Sequence, residues 1–551
     1  MTHYAISASN CVERGEKGMM TETDVIIVGA GISGLTAAYR LLRRDSSLRI
    51  LVLEAKDRVG GRTLTVPLKT SNLLTEQFDL GGQWVSSSQP HILRLLQELN
   101  LHTYPQYSAG CKVVLAGATV FEKYSSSFPY FGSFYSCYEL RQFVLKIEQM
   151  LSKVTIVDPL KCIFAEELDS ITMETLLLRH LSTKAAQDIV RAAIRSTFGT
   201  EASQLSALYV IALSNGTHGL LNQFSASATG ARELRIKGGA QQIALKLSAQ
   251  IGNKLIILNT PVTEIEQSES GVQVTTQSGQ VHRSKYIVVA LPPSEVLRIL
   301  FSPPLPLKHR QLLQRYPVGH LTKFVITYPK AFWREKGFSG EVFSCGGHEA
   351  EHICDGGPIS AAYDATTHDG QPAIAGYMAS KTGIEWSSKD PCHRKQSVLQ
   401  TLSEFWGDWV HDPIDYVEKN WSDETYVGGC PMHGTSPGVM GWFHHIRASF
   451  GRIYWAGTET ATQWCGYMDG AVQAGERSAL EVLRELRPEI VTAADLQAIN
   501  LILRSSSPVH VLPVSHVYRW TLCLPLVLIA MGWTAYALRR HFWVVGVGRI
   551  A

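Results

Sequence analysis

Apolar and polar positions fall into three patterns along this chain, and each predicts a different kind of element. Short apolar runs bounded by turn residues read as strands: Val25–Val28, Ile50–Leu53, Leu255–Leu258, Gly271–Thr276 and Tyr286–Leu291, the last stopped by Pro292 and Pro293. Thr260–Glu266, Pro317–Thr327, Ala361–Thr366, Ala373–Ala379 and Ile453–Ala456 read the same way. Helical spacing marks Glu139–Leu151, Met173–Ser196 and Ser397–Trp406. Further helices are predicted after the Gly238-Gly239 turn, running to Leu247, and from Gly470 onward. The third pattern is Trp520–Leu538, mostly apolar and without a charged residue. About 19 residues at ~1.5 Å each nearly cross a hydrocarbon core of ~30 Å. Arg519 precedes it, Arg539 and Arg540 follow it, and Trp520 and Trp533 suit interfacial anchors. The alternative is a buried or amphipathic C-terminal helix.

The first two strands bracket the stretch that organises the chain. Gly29, Gly31 and Gly34 form a G-x-G-x-x-G between the Val25–Val28 strand and a helix-forming run, and Glu54 ends the next strand twenty residues after the third glycine. Gly29 allows a tight turn. Gly31, beside Ala30, lets a pyrophosphate approach the backbone, and Gly34 lets helix and strand pack closely. The helix N-terminus faces the phosphates, and Glu54 can bind a ribose hydroxyl. Glycines alone also serve ordinary packing, but the two strands and the spaced acid make this a dinucleotide fingerprint. Farther on, Gly60-Gly61 lies between Arg58 and Arg62, so Arg62 is placed to meet a phosphate.

That arginine loop is unusual in nicotinamide-binding domains, and here the chain resembles the flavin-containing amine oxidases, monoamine oxidases in particular. The resemblance covers about residues 22–485. It implies that the glycine turn (Gly29, Ala30, Gly31, Gly34), Glu54 and Arg62 contact FAD. It also implies that Gly82 and Gln83, in Phe78-Asp-Leu-Gly-Gly-Gln-Trp84, form a turn beside the isoalloxazine ring, and that the backbone of Val262 touches adenine. Lys323 falls where the family places a lysine bonded through water to flavin N5, although a lysine on an apolar strand is also at home on an edge, reaching water. Trp421 and Gly428-Gly429-Cys430 match the family's covalent attachment string, so the Cys430 thiol is expected to form a thioether to the flavin, with Cys465 as the competing thiol. Gly457-Thr458-Glu459 reads as a phosphate-side loop, and Tyr467 and Met468 open the last flavin motif.

One position departs from the family. Monoamine oxidases carry a tyrosine after the attached cysteine, as one wall of an aromatic cage; Pro431 stands there, while Tyr467 supplies the other wall. Either the cage is half made or an aromatic from elsewhere completes it, and the departure bears on the substrate more than on the reaction. The resemblance implies oxidation of an amine with Lys323 and Tyr467 at the reacting centre. An imine leaves and hydrolyses to an aldehyde and ammonia, and dioxygen is reduced to hydrogen peroxide. Three rivals stay open: a polyamine or other amine oxidase, a nicotinamide-dependent dehydrogenase, and a binding-only flavoprotein. The aromatic-rich patch of Tyr104, Tyr107, Phe128, Tyr130, Phe131, Phe134 and Tyr135 fits core more than pocket.

Composition narrows the classes. With 18% charged residues and a formal net charge of +3 over 551 residues, nothing points to nucleic acid. Ten cysteines at irregular spacing give neither a disulfide framework nor a metal site. The expected architecture is α/β: a discontinuous Rossmann-like FAD-binding domain from 21–100, 230–300 and 425–490, and a substrate domain of sheet and helices from 101–229 and 301–424. A disordered leader (1–20), a linker (491–519) and a transmembrane helix (520–538) complete it. The absence of a signal-peptide pattern predicts a tail anchor with the catalytic body in the cytosol, and the basic flanks together with the family resemblance imply the mitochondrial outer membrane. Pairing into homodimers is implied by the family alone.

Overall fold

Seven of the strands predicted from apolar runs converge on one sheet although they come from widely separated parts of the chain. In the computed structural model, which describes residues 22–504 apart from 72–73, 117–118, 125–132, 224, 227, 346–356 and 432–433, Glu22–Val28 lies at its centre. Ile50–Leu53 pairs with it in parallel on one side and Val281–Val289 on the other. Ile256–Ile257 extends the first flank and Ile453–Trp455 the second, both also parallel. Val28 stands opposite Leu53 and Val289, and Val289 opposite Trp455. Four strand tips therefore end at one level, and the loops leaving them can share one ligand. An antiparallel hairpin, Val262–Ser268 with Gly271–Thr276, continues from the front half of Val281–Val289. The central strand is buried on both faces, which is why its sequence is a continuous β-branched run.

A second sheet of seven strands holds Leu321–Thr327, flanked by Ala373–Ala379 and Asp415–Asn420, both antiparallel. Leu321–Thr327 is thus an interior strand and every residue in it is buried. Lys323 does not reach water from an edge.

Three sequence expectations change. Met173–Ser196 is two helices, Met173–His180 and Lys184–Phe198, because Thr172 caps the first and Leu181–Thr183 breaks the run before the second begins. Glu139–Leu151 belongs to a longer helix, Phe134–Leu151, started by the Ser133 side chain, which accepts from the Ser136 N–H. Of the aromatic patch, Phe134 and Tyr135 are 61% and 56% exposed on the first turn of that helix, so they are not core; Phe128, Tyr130 and Phe131 lie outside the described residues. So do the leader 1–20 and the apolar stretch 520–538. Among the described residues no helix is long and apolar enough to cross a membrane.

Candidate functional site

At the tip of the central strand Gly29 turns with φ of 101°, a conformation that L side chains rarely adopt, and its N–H donates to the Leu53 carbonyl at 2.8 Å. The helix Ile32–Arg44 starts immediately after Gly31. A Cβ on Gly34 would sit 2.0 Å from the Gly29 carbonyl oxygen, so this close approach requires glycine. A Cβ on Gly31 would meet nothing within 4 Å: the backbone there borders open space. No side chain caps this helix, and its first turn has no acidic residue. Its free N–H groups and its positive end therefore face that space. Glu54 steadies the turn, accepting from the N–H of Ala30 at 2.6 Å and of Lys56 at 2.9 Å. Burial pushes its carboxyl up, against these two N–H groups and the charges of Arg58 and Lys56.

The C-terminal motif meets the N-terminal one through an ion pair. Arg62 donates to Glu459 at 2.6 and 3.2 Å, across 397 residues of sequence. Burial disfavours the Arg62 cation, and Glu459 more than restores it, so its pKa is raised. An arginine held this way offers a phosphate less than a free one, and its first task is to join the two loops. Next to Glu459, the Thr458 hydroxyl donates to the Tyr467 carbonyl at 2.8 Å and accepts from the Gly466 N–H at 3.0 Å. Thr458 thus fixes the loop that presents Tyr467. Gly457 lets that loop pass the Leu291 carbonyl, which a Cβ would approach to 2.8 Å.

The Gly81–Gln83 turn is held from behind. Trp421, fully buried, donates its indole N–H to the Leu80 carbonyl at 2.8 Å. Lys323, 4% exposed, donates to the Gly81 carbonyl at 2.9 Å and to Gln83 Oε1 at 2.5 Å. Burial pulls the Lys323 ammonium down to about 7, with Asp79 opposing. Gln83 Nε2 is buried and has no partner among the described residues. A buried amide with an empty donor on a cavity wall calls for an acceptor from a ligand.

Cys430 is pinned by two backbone bonds to one residue: its N–H donates to the Gly319 carbonyl at 3.0 Å, and the Gly319 N–H donates to the Pro431 carbonyl at 2.8 Å. Burial raises its thiol pKa while the cations Arg62 and Lys323 lower it. Cys465 is more deeply buried, its thiol is pushed up to about 12, and its Sγ is 3.5 Å from the Glu459 carbonyl. The Tyr467 ring packs edge-on against Trp464, centroids 5.1 Å apart.

One cavity of about 520 Å³ collects most of these groups. Gly29, Gly31, Glu54, Arg62, Gly82, Gln83, Val262, Cys430, Thr458, Tyr467 and Met468 all line it. Ala30, Gly34, Lys323, Trp421, Gly457 and Glu459 stand behind its wall and act by holding residues that do line it. Pro431 lines it too, and Trp84, Phe198 and Tyr377 bring aromatic surface from other elements. Sequence reasoning missed Phe198, Arg232, Tyr377 and Tyr426 on this wall. None stands in a motif, and the strand that carries Tyr377 is a continuous apolar run, buried throughout, so no local pattern marks any of them. One end of the cavity has the open backbone and uncapped helix that suit a dinucleotide, and the other has aromatic walls with the buried Arg232 among them and Lys323 behind.

Comparison with known proteins agrees with this geometry. The family model described as flavin containing amine oxidoreductase matches residues 32–483. The chain is 35% identical over 473 residues to a protein named probable flavin-containing monoamine oxidase A from Dictyostelium discoideum, covering 85% of this chain and 99% of that one. Among solved structures it resembles cyclohexylamine oxidase from Brevibacterium oxydans (27% identity, TM-score 0.77) and a putrescine oxidase with putrescine bound (26%, TM-score 0.76). Each match covers 84% of this chain and 99% of the other. With the matched span running from the glycine turn to the helix behind Tyr467, this chain is an oxidoreductase of the flavin-containing amine oxidase family.

Proposed function

We propose that this protein oxidatively deaminates primary amines, consuming one amine, one dioxygen and one water and releasing an aldehyde, ammonia and hydrogen peroxide. The observation that carries the reading is the single cavity bordered by both Gly31 and Tyr467. FAD fits its dinucleotide end: Gly31 offers open backbone, the Ile32–Arg44 helix offers uncapped N–H groups, and Gln83 Nε2 offers an empty donor. Glu54 and Val262 are the residues we assign to its ribose and adenine. When bound, FAD takes the two electrons and the hydrogen from the substrate carbon and delivers them to dioxygen.

The chain's own residues do the rest. Tyr467 walls the amine in. Burying an ammonium beside the Lys323 and Arg232 cations is costly, so the amine enters uncharged. Lys323 is fixed by Gly81 and Gln83, and its Nζ, which titrates near neutrality, can hold or release a proton next to the reacting centre. The covalent link is assigned to Cys430 rather than Cys465 on the match of Trp421 and Gly428-Gly429-Cys430 to the family's attachment string; both thiols line the cavity and burial raises both, that of Cys465 to about 12.

Supplying a panel of primary amines to flavin-loaded protein is expected to give aldehyde, ammonia and peroxide in equal amounts; peroxide without ammonia would sink the deamination reading. After acid denaturation the flavin is expected to stay with the polypeptide in wild type and to separate from it in Cys430→Ala. Free flavin from wild type would remove the covalent assignment and leave the reaction intact. The apolar run 520–538 with its arginine flanks supports a C-terminal anchor in the mitochondrial outer membrane. Cell fractionation tests it: deleting 505–551 should move the protein from the membrane to the soluble fraction.

A further inference from the structure

The aromatic end of the cavity holds a guanidinium that neither the dinucleotide fingerprint nor the flavin motifs account for. Arg232 precedes the short strand Leu234–Ile236, which pairs antiparallel with Trp84–Val85. That pairing carries Arg232 back over the Trp84 ring, with Cζ 5.7 Å from the indole centroid and 4.6 Å from the Tyr363 ring centroid. Its Nη2 donates to the Tyr377 hydroxyl at 3.2 Å. Arg232 is 7% exposed and lines the cavity together with Trp84, Tyr377 and Tyr467. Lys323 Nζ lies 5.6 Å from the same indole centroid, so two cations approach Trp84. Glu341, already paired with Lys112 at 2.9 Å, adds a longer-range negative charge.

A guanidinium stays charged at any working pH and presents five donors in a planar fork. Held in an aromatic wall, it favours a planar anion on the occupant and opposes a second cation there. We propose that Arg232 is the specificity residue of this enzyme and that it selects amines carrying a carboxylate away from the reacting nitrogen, while discriminating against diamines and polyamines. This rests on the deamination reading above, and it sets the chain apart from its diamine-binding structural relative.

The test uses the full-length, flavin-loaded protein and three matched series of increasing chain length: ω-amino carboxylates, n-alkylamines and α,ω-diamines. At the favoured length the amino carboxylate is expected to exceed the alkylamine in kcat/KM by at least about tenfold, chiefly through KM, with the diamine lowest. Arg232→Gln should collapse that ratio, and Arg232→Lys should restore part of it, since the charge returns without the fork. A wild-type measurement makes the proposal independent of how either variant folds: n-alkyl carboxylates should compete with alkylamine oxidation better than alkylammonium salts that cannot be oxidised. Alkylamine turnover with no preference for the carboxylate series, or with diamines preferred, overturns the assignment of Arg232 alone. Failure of loaded wild type to turn over any of the three series overturns the deamination reading and this inference with it.

Discussion

The two ends of the cavity are built on different principles. The glycine-turn end is a local object: Gly29, Gly31, Gly34 and Glu54 lie within 26 residues, and the strand–turn–helix they form sets its own geometry through backbone contacts. The amine end has no local sequence. Trp84, Arg232, Tyr377 and Tyr467 come from four separate stretches and meet because two sheets and a short strand pairing bring them together. The first end depends on close backbone fit and fails when atoms are added. The second depends on charge and shape at side-chain tips and changes its preferences when they are altered. Between them, Arg62–Glu459 and Lys323–Gln83 transmit position from one to the other.

Substitutions can break that contrast in a graded way. The largest effect is expected for Gly34→Val, which drives a side chain into the Gly29 carbonyl: flavin retention should be lost outright, read from absorbance of the purified protein. Retained flavin at wild-type stoichiometry would mean the turn is not the rigid element argued above. Next, Arg62→Ala leaves Glu459 as a buried unpaired carboxylate, which should cost about 3–5 kcal/mol in chemical denaturation. Replacing both partners with apolar residues of similar size should recover most of that stability, while leaving the Thr458–Tyr467 loop less well held.

Lys323→Met is the smallest change to the fold and the sharpest test of the join between the two ends. Turnover should fall about a hundredfold. The accompanying stability change has a definite pH signature. The folded-state pKa of Lys323, about 7, lies below its ordinary 10.5, so the unfolded chain holds the proton more firmly. Burial of the cation therefore weakens the fold fully below about pH 7, and stability rises between about pH 7 and 10.5. The variant should lack this rise; an identical pH dependence in the two proteins would show that Lys323 is not buried as a cation.

What could be read in advance follows the same division. Strands such as Val25–Val28 and Tyr286–Leu291 announced themselves because a strand buried on both faces needs an unbroken apolar run. The long helix expected over Met173–Ser196 did not survive, since periodicity alone does not register the break at Leu181–Thr183 or the cap at Thr172. Phe134 and Tyr135 misled because aromatic content says nothing about which face of a helix the fold covers. Lys323 showed a limit of another kind: its apolar neighbours left an edge position open beside the role the resemblance implies, and only pairing on both sides revealed an interior strand.

The sequence by itself determined the glycine turn, its helix and the acidic strand end, because the atoms that constrain them are close along the chain. It also identified Cys430 and Tyr467 as candidates through short motifs. Tertiary structure alone decided that Arg62 binds Glu459, that Lys323 is held by Gly81 and Gln83, and that Arg232 lies over Trp84. Those contacts join residues more than a hundred positions apart, and no local pattern of residue types encodes which distant side chain a buried charge will find.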